Sequence, residues 1–220
     1  TVSVPDFVRG AGQDVNVPAA GDGLPLTLSD GAGVRNVTVS VDYDPALLSI
    51  AGATVGAGLP AGAAVTVDTS VAGTAVVSFT SPADLPAGEV TIVNLTAAVP
   101  TANANEIYRS KQVVSVHSIS ITDGSANTIP SVENSGLHVS DYFADVSGNA
   151  RVNAADAAQV ARIAALLDNG LANFQNADPV VVADISGNGR INAADASLVA
   201  QVAALLPVDQ VPDVPSGVVS

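Results

Sequence analysis

One polar twelve-residue segment occurs twice in the sequence, as DVSGNARVNAAD at residues 145–156 and DISGNGRINAAD at residues 184–195. In both copies, positions 1, 3, 5, 9 and 12 carry side chains with oxygen atoms, and the carbonyl at position 7 adds another oxygen. A loop of this length can wrap a hard cation such as calcium, which takes about six to eight oxygen ligands. The two segments therefore predict two calcium sites.

The predicted ligands match position by position. They are Asp145, Ser147, Asn149, the Arg151 carbonyl, Asn153 and Asp156 in the first loop, and Asp184, Ser186, Asn188, the Arg190 carbonyl, Asn192 and Asp195 in the second. Two carboxylates per loop predict micromolar or weaker affinity, which suits millimolar extracellular calcium. The alternative is a pair of plain turns whose closing aspartates favour the start of a helix. The repeated spacing favours the calcium interpretation.

Apolar residues recur with a helical period after each loop. They are Val160, Ile163, Ala164 and Leu167 after the first loop, and Val199, Val202, Ala203 and Leu206 after the second. The pattern predicts two short helices, with Gly170 as the C-cap of the first and Pro207 ending the second. Residues 208–220 are rich in proline and predict an extended tail.

The first 140 residues have the period of β-strands. VRNVTVSVDY at residues 34–43 alternates apolar and polar side chains, which predicts a half-buried strand. Similar runs are QDVNVP, LPLTLS, GTAVVSFT, EVTIVNLTAAV and QVVSVHSISIT, separated by Gly- and Pro-rich turns. We expect an antiparallel sandwich over residues 1–140, a loop-helix module over 141–207 and the tail over 208–220.

Composition excludes several classes of function. Twenty-one acidic and seven basic residues give a formal charge of −14, which repels nucleic acid and attracts divalent cations. The absence of cysteine excludes disulfides and zinc-thiolate sites. No apolar run reaches the roughly 18 residues that a membrane span needs. His117 and His138 fall in predicted strands, away from any nucleophile signature or metal-ligand spacing, so we expect no enzyme.

The C-terminal repeat, over about residues 141–207, resembles a dockerin, the calcium-binding partner of cohesins. It departs from the usual pattern in serine at position 3, asparagine at position 5 and Ala150 where such loops carry glycine. The N-terminal part is similar to a cohesin in VSVPDFVRGAGQDVNVP, VDYDPALLSI, AVVSFTS, GEVTIVNLTAAV and SGLHV. The resemblance implies an all-β jelly-roll sandwich of nine strands, followed by a small α-helical module with two EF-hand-like calcium loops.

The resemblance also implies a docking surface, because dockerins bind through loop positions 10 and 11 and the helix that follows. The corresponding residues are Ala154, Ala155, Arg162 and Leu166 in the first copy, and Ala193, Ala194, Gln201 and Leu205 in the second. Near-identical copies resemble dockerins that bind in two orientations related by a pseudo-twofold axis. Both copies have Ala-Ala where cellulosomal dockerins commonly carry hydroxyl residues, so the partner need not be a cellulosomal cohesin.

Three functions fit these modules. A chain with both a dockerin and a cohesin can bind other copies of itself head to tail, as an extracellular or cell-surface structural subunit. The short connection after residue 140 disfavours capture of the module by its own sandwich. Alternatively, the chain is an adaptor between foreign cohesin- and dockerin-bearing proteins. A polysaccharide-binding module is less favoured, because such platforms use aromatic rings and the tyrosines are only Tyr43, Tyr108 and Tyr142.

Overall fold

The computed structural model describes residues 1–168 and 170–219. The strands are β1 (Val2–Ser3), β2 (Phe7–Val8), β3 (Leu24–Leu28), β4 (Asn36–Asp42), β5 (Ser49–Val55), β6 (Ala64–Asp68), β7 (Thr74–Thr80), β8 (Val90–Ala98), β9 (Lys111–Thr122), β10 (Glu133–Asn134) and β11 (Gly136–Val139). The helices are α1 (Ala104–Ile107), α2 (Ala154–Ala164), α3 (Pro179–Ala183) and α4 (Ala193–Ala203). The predicted order, a sandwich followed by a small helical module, is confirmed.

The strands form two sheets, with the orders β10-β1-β3-β8-β5 and β2-β11-β9-β4-β7-β6. The N-terminal segment pairs with one sheet as β1 and, after Pro5, with the other as β2. Residues 133–139 also change sheets, between β10 and β11. Counting each of these divided strands once gives the nine strands that the resemblance implies.

The sandwich core consists mainly of valine and leucine side chains from both sheets. In β4, Val37, Val39 and Val41 are buried while Asn36 and Thr38 are exposed, which confirms the half-buried strand predicted from alternation. The predicted strand QDVNVP is wrong: it forms only an isolated bridge from Asp14 to Ala98. This segment starts in a turn, in which the Gln13 N–H donates to the Gly10 carbonyl.

The helical module has its own apolar core, and the sandwich contributes to it. Val160 of α2, Val199 of α4 and Phe174 from the connection between the repeats are buried together. Val8 of β2 and Val139 of β11 belong to the same cluster, and α3 contacts β2. The module is therefore packed against the β2–β11 edge of the sandwich.

The helices end earlier than the apolar period predicts. Leu167 and Leu206 lie beyond the last helical residues and are 68% and 54% exposed. Leu166 and Leu205 adopt left-handed backbones with φ of 56° and 59°, and this conformation ends each helix. Gly170 is therefore not the C-cap. Pro207 likewise follows a helix that has already ended.

The tail contains no helix or strand over residues 208–219, and Ser220 lies outside the described residues. Val208 and Val211 pack on the core of the module, whereas Val218 and Val219 pack on the core of the sandwich. Between them, the Gln13 side-chain amide donates to the Asp213 carbonyl at 2.8 Å. The tail thus contacts both the helical module and the sandwich.

Candidate calcium-binding loops and docking helices

Each predicted loop is closed by the aspartate at position 12, and the two closures are alike. The Ser147 N–H donates to Asp156 Oδ1 and the Ser186 N–H to Asp195 Oδ1, both at 2.8 Å. The other carboxylate oxygen accepts from the N–H at position 9, at 2.8 Å in the first loop and 2.7 Å in the second. Both closing aspartates are fully buried. The backbone therefore holds these carboxylates inside their loops.

The aspartate at position 1 gathers the first half of each loop. Asp145 accepts from the Ser147 hydroxyl at 3.1 Å, the Asn149 N–H at 3.2 Å and the Ala150 N–H at 2.6 Å. The corresponding groups bind Asp184 at 3.3, 3.1 and 2.6 Å. The two loops thus share the hydrogen bonds that the backbone N–H groups at positions 3, 5, 6 and 9 and the serine hydroxyl form with the aspartates at positions 1 and 12.

The asparagine at position 9 has a second role that spacing alone did not predict. Asn153 and Asn192 are the N-caps of α2 and α4, and their side-chain oxygens accept from the N–H groups of Ala155 and Ala194. With the aspartates at position 12 they form capping boxes. The last third of each loop is therefore also the start of a helix.

The donor set fits a hard cation. Among the described residues, no three His, Cys, Asp or Glu side chains converge as a metal-binding group. Each loop depends instead on two carboxylates together with serine, asparagine and carbonyl oxygens, which is the oxygen-only chemistry that calcium accepts. Type I dockerin domains typically bind calcium.

The first loop lies in a buried acidic environment. Asp141, Asp145 and Asp156 are all fully buried, and none of them forms a salt bridge within the described part of the chain. Burial, followed by the charge of Asp145, raises the pKa of Asp141 well above its usual value. Burial also raises the pKa of Asp156. A cation in the first loop would compensate this concentration of negative charge.

Tyr108 joins the sandwich to this loop. It follows α1, and its hydroxyl donates to Asp145 Oδ2 at 2.5 Å. Burial, and then the charges of Asp141 and Asp145, raise the pKa of Tyr108, so the hydroxyl remains a donor. The Tyr108 ring packs on Tyr142 with ring centroids 5.6 Å apart. No sequence pattern predicts this contact, because Tyr108 belongs to another domain.

The residues predicted to dock a partner lie mostly on the surface. Leu166 and Leu205 are 90% and 93% exposed. Gln201 is half-buried, and exposed Arg162 forms a salt bridge with Asp168 at 2.7 Å. The remaining four are exposed alanines at the starts of the helices, Ala154, Ala155, Ala193 and Ala194. The two copies thus present similar small-residue and leucine surfaces to solvent.

The two histidines have different surroundings. His138 is fully buried and stacks on Phe7, with ring centroids 4.6 Å apart. His117 lies between Asp42, 2.9 Å from Nε2, and the Ser118 hydroxyl, 2.9 Å from Nδ1. This Ser-His-Asp group lies on an outer sheet face with the His117 and Asp42 side chains 42% and 47% exposed. An open surface does not exclude water from these three side chains, so we interpret them as a hydrogen-bonded group on the surface.

Comparison with known proteins gives a family match for the module and a fold match for the sandwich. Residues 143–202 match the model of the dockerin type I domain. The sandwich is similar to a non-cellulosomal cohesin from the archaeon Archaeoglobus fulgidus, with a TM-score of 0.51 and 14% identity over 63% of this chain and 88% of the archaeal one. No curated protein matches the sequence.

A second structural relative is the sixth cohesin of scaffoldin B from Acetivibrio cellulolyticus, solved in complex with a dockerin. Its TM-score is 0.52, with 17% identity over 63% of this chain and 96% of that cohesin. At these identities the likeness establishes the fold. The chain therefore has a sandwich with the cohesin fold, followed by a module that matches the dockerin type I domain.

Proposed function

We propose that this protein is an extracellular structural subunit that assembles head to tail, with the dockerin module of one copy bound to the sandwich of the next. The observation that carries the proposal is the orientation of the module. It contacts its own sandwich through the first loop, α3 and the tail, while the surfaces around Leu166 and Leu205 remain exposed. These surfaces are therefore available to another molecule.

Two calcium ions, one in each loop, support this assembly by holding α2 and α4. The ligands are the twelve residues predicted from the repeat, with the carboxylates at positions 1 and 12 supplying the charge. Because these carboxylates also organise the loop backbone and the capping boxes, calcium binding and folding of the helices are coupled. Loss of calcium should therefore remove the docking surface.

A contact between unlike surfaces of identical subunits closes into a ring or continues as an open filament. The module cannot easily turn its exposed helix surfaces towards its own sandwich, because it is attached to that sandwich at the first loop and again through the tail. We propose a filament, in which either helix surface can bind because the two copies are similar. Dockerin and cohesin modules are typically extracellular or at the cell surface. No described helix is long and apolar enough to cross a membrane.

The experiment is multi-angle light scattering on the full chain in millimolar calcium, before and after a chelator is added. We expect large species in calcium that dissociate with the chelator. The variant Leu166→Asp/Leu205→Asp should remain monomeric in calcium. A matched control is Val71→Asp/Val132→Asp, which changes valines that are 63% and 64% exposed on the sandwich and should still assemble.

A monomer under all conditions would contradict self-assembly and favour the adaptor function, in which foreign proteins supply the partners. Pull-down with unrelated cohesins and dockerins would then identify them. The structure gives less support to polysaccharide binding. Tyr142 is buried, and Tyr108 is directed into the contact between modules, which leaves only Tyr43 of the tyrosines outside it.

A further inference from the structure

The two calcium loops differ in their contact with the sandwich, although the aspartates at positions 1 and 12 accept the same internal hydrogen bonds in both. Asp145 of the first loop is fully buried, whereas Asp184 of the second is only half-buried. Asp145 accepts a hydrogen bond from the Tyr108 hydroxyl of the sandwich, a contact that Asp184 lacks within the described residues. Among the described residues, the first loop therefore differs from the second in that its position-1 aspartate accepts a side-chain hydrogen bond from the sandwich.

The segment around Tyr108 encloses the first loop further. Arg109 lies so close to Gly148 that a Cβ there would come within 2.7 Å of Arg109 Cδ. At the equivalent Gly187, a Cβ would meet no atom within 4 Å. A cavity of about 640 Å³, lined by Gly187, Phe7 and Val8 among others, adjoins the second loop. The sandwich therefore closes on the glycine of the first loop and leaves space beside the equivalent glycine of the second.

Backbone contacts make this arrangement firm. The Arg109 N–H donates to the Ser140 carbonyl at 2.7 Å, and the Ser140 N–H donates to the Ser110 carbonyl at 2.8 Å. Asn173, from the connection between the repeats, donates to the Ser147 carbonyl and accepts from Arg109 at 3.5 Å. Tyr108 is thus held at a fixed position relative to the first loop.

We infer that Tyr108 is a positioning residue for the first calcium site, so that calcium in this loop and docking of the module on its sandwich strengthen each other. The inference rests on the calcium binding proposed above. A group that hydrogen-bonds a metal ligand from outside fixes the orientation of that ligand, and its removal commonly weakens metal binding about 10- to 100-fold. By linkage, the factor by which docking strengthens calcium binding is also the factor by which calcium strengthens docking.

The first test is calcium titration calorimetry on the full chain with the variant Tyr108→Phe, in a background of Asp184→Asn that removes the second site. We expect about tenfold weaker binding at the first loop. The matched control is Tyr142→Phe, which removes the other hydroxyl of the same aromatic pair, a group that donates to the Ala11 carbonyl at 3.3 Å and not to the loop. It should bind as tightly as the background protein.

A further control tests whether the effect of Tyr108 is confined to the first loop. It uses the background Asp145→Asn, in which only the second calcium site remains. Tyr108→Phe should leave calcium affinity unchanged there. The inference would be overturned if the first loop bound calcium equally tightly with Tyr or Phe at position 108. It would also be overturned if Tyr108→Phe weakened calcium binding equally at both loops. If the unmodified chain binds no calcium, the proposed function fails first, which distinguishes the two failures.

The second test measures docking of the module on its sandwich by a method that does not depend on measuring calcium affinity. Hydrogen exchange at the amides of Arg109 and Ser140 reports whether the module is in place, because they pair at the end of the sandwich that leads into the module, where Ser140 is fully buried. In the Asp184→Asn background, calcium should slow their exchange about tenfold, and Tyr108→Phe should remove most of this protection. Exchange that is independent of calcium would contradict the coupling.

Discussion

Ala150 and Gly189 occupy the same position in the two loops, and both have a left-handed backbone, with φ of 66° and 78°. A Cβ in this region costs about 1–2 kcal/mol, partly offset by the greater freedom of glycine in the unfolded chain. We therefore expect Ala150→Gly to raise the free energy of unfolding by about 0.5–1 kcal/mol. Gly189→Ala should lower it by a similar amount. Urea unfolding in calcium would measure both, and a destabilising Ala150→Gly would contradict the argument.

The buried His138 should make the stability of the protein depend on pH. Burial lowers the pKa of this histidine to about 4, whereas the unfolded chain has a pKa of about 6.5. Above the unfolded value the ring is neutral in both states. As the pH falls from about 6.5 towards 4, the unfolded chain takes up a proton that the folded chain does not, so stability is lost.

Between about pH 6.5 and 5 this loss amounts to about 2 kcal/mol, at 1.36 kcal/mol per unit. The variant His138→Gln removes the titrating group while retaining an amide that can meet Gln112 and the Arg9 carbonyl. Urea unfolding of both proteins at pH 7 and 5 should show a loss in the unmodified chain about 2 kcal/mol greater than in the variant. Equal losses would show that His138 does not control this range.

At this scale, the sequence predicted the loop ligands because their positions follow from a repeat of fixed spacing. It also identified Ala150 as the exception to glycine. It did not predict Tyr108 or the buried Asp141, because their roles arise from contact between domains. Asp141 Oδ1 accepts a hydrogen bond from the Tyr142 N–H at 2.8 Å, and only the fold places Asp141 beside Asp145. Local patterns therefore identify ligands, whereas the groups that surround them require the tertiary structure.

Among the elements, alternation identified β4, β7, β8 and β9, where apolar and polar side chains face opposite sides. It missed β5, whose sequence SIAGATV is dominated by small residues that distinguish the faces poorly. It also missed α3, because PVVVA has strand-like composition and is too short for a helical period. Propensity failed where packing, rather than pattern, determines the element.

The order of the two loop-helix units should depend on calcium. Removing calcium should leave the carboxylates of each loop facing one another without compensation, so α2 and α4 should lose order while the sandwich persists. Far-ultraviolet circular dichroism should show a fall in helical signal and retention of strand signal when a chelator is added. The variant Asp145→Asn/Asp184→Asn in calcium should give the spectrum of the chelated protein. An unchanged helical signal in both cases would show that folding of α2 and α4 does not depend on calcium.

For the whole molecule, the tail is the feature that composition described but did not place. The sequence predicted an extended Pro-rich segment, and residues 208–219 contain no helix or strand. Its valines, however, divide between two cores, with Val208 and Val211 on the module and Val218 and Val219 on the sandwich. The tail therefore stabilises the relative position of the two modules.

We expect replacement of these four valines by serine to loosen the modules, because partial burial of each contributes roughly 0.5–1 kcal/mol. The comparison is best made in the monomeric Leu166→Asp/Leu205→Asp background with calcium present. Small-angle X-ray scattering should then give a larger radius of gyration, and unfolding should cost about 2–4 kcal/mol less. Gln13→Ala, which removes only the hydrogen bond to Asp213, should have a smaller effect. A radius unchanged by the serine substitutions would mean that the first loop and the β2–β11 edge alone hold the modules together. A free tail would then be open to contact with a neighbouring subunit of the filament.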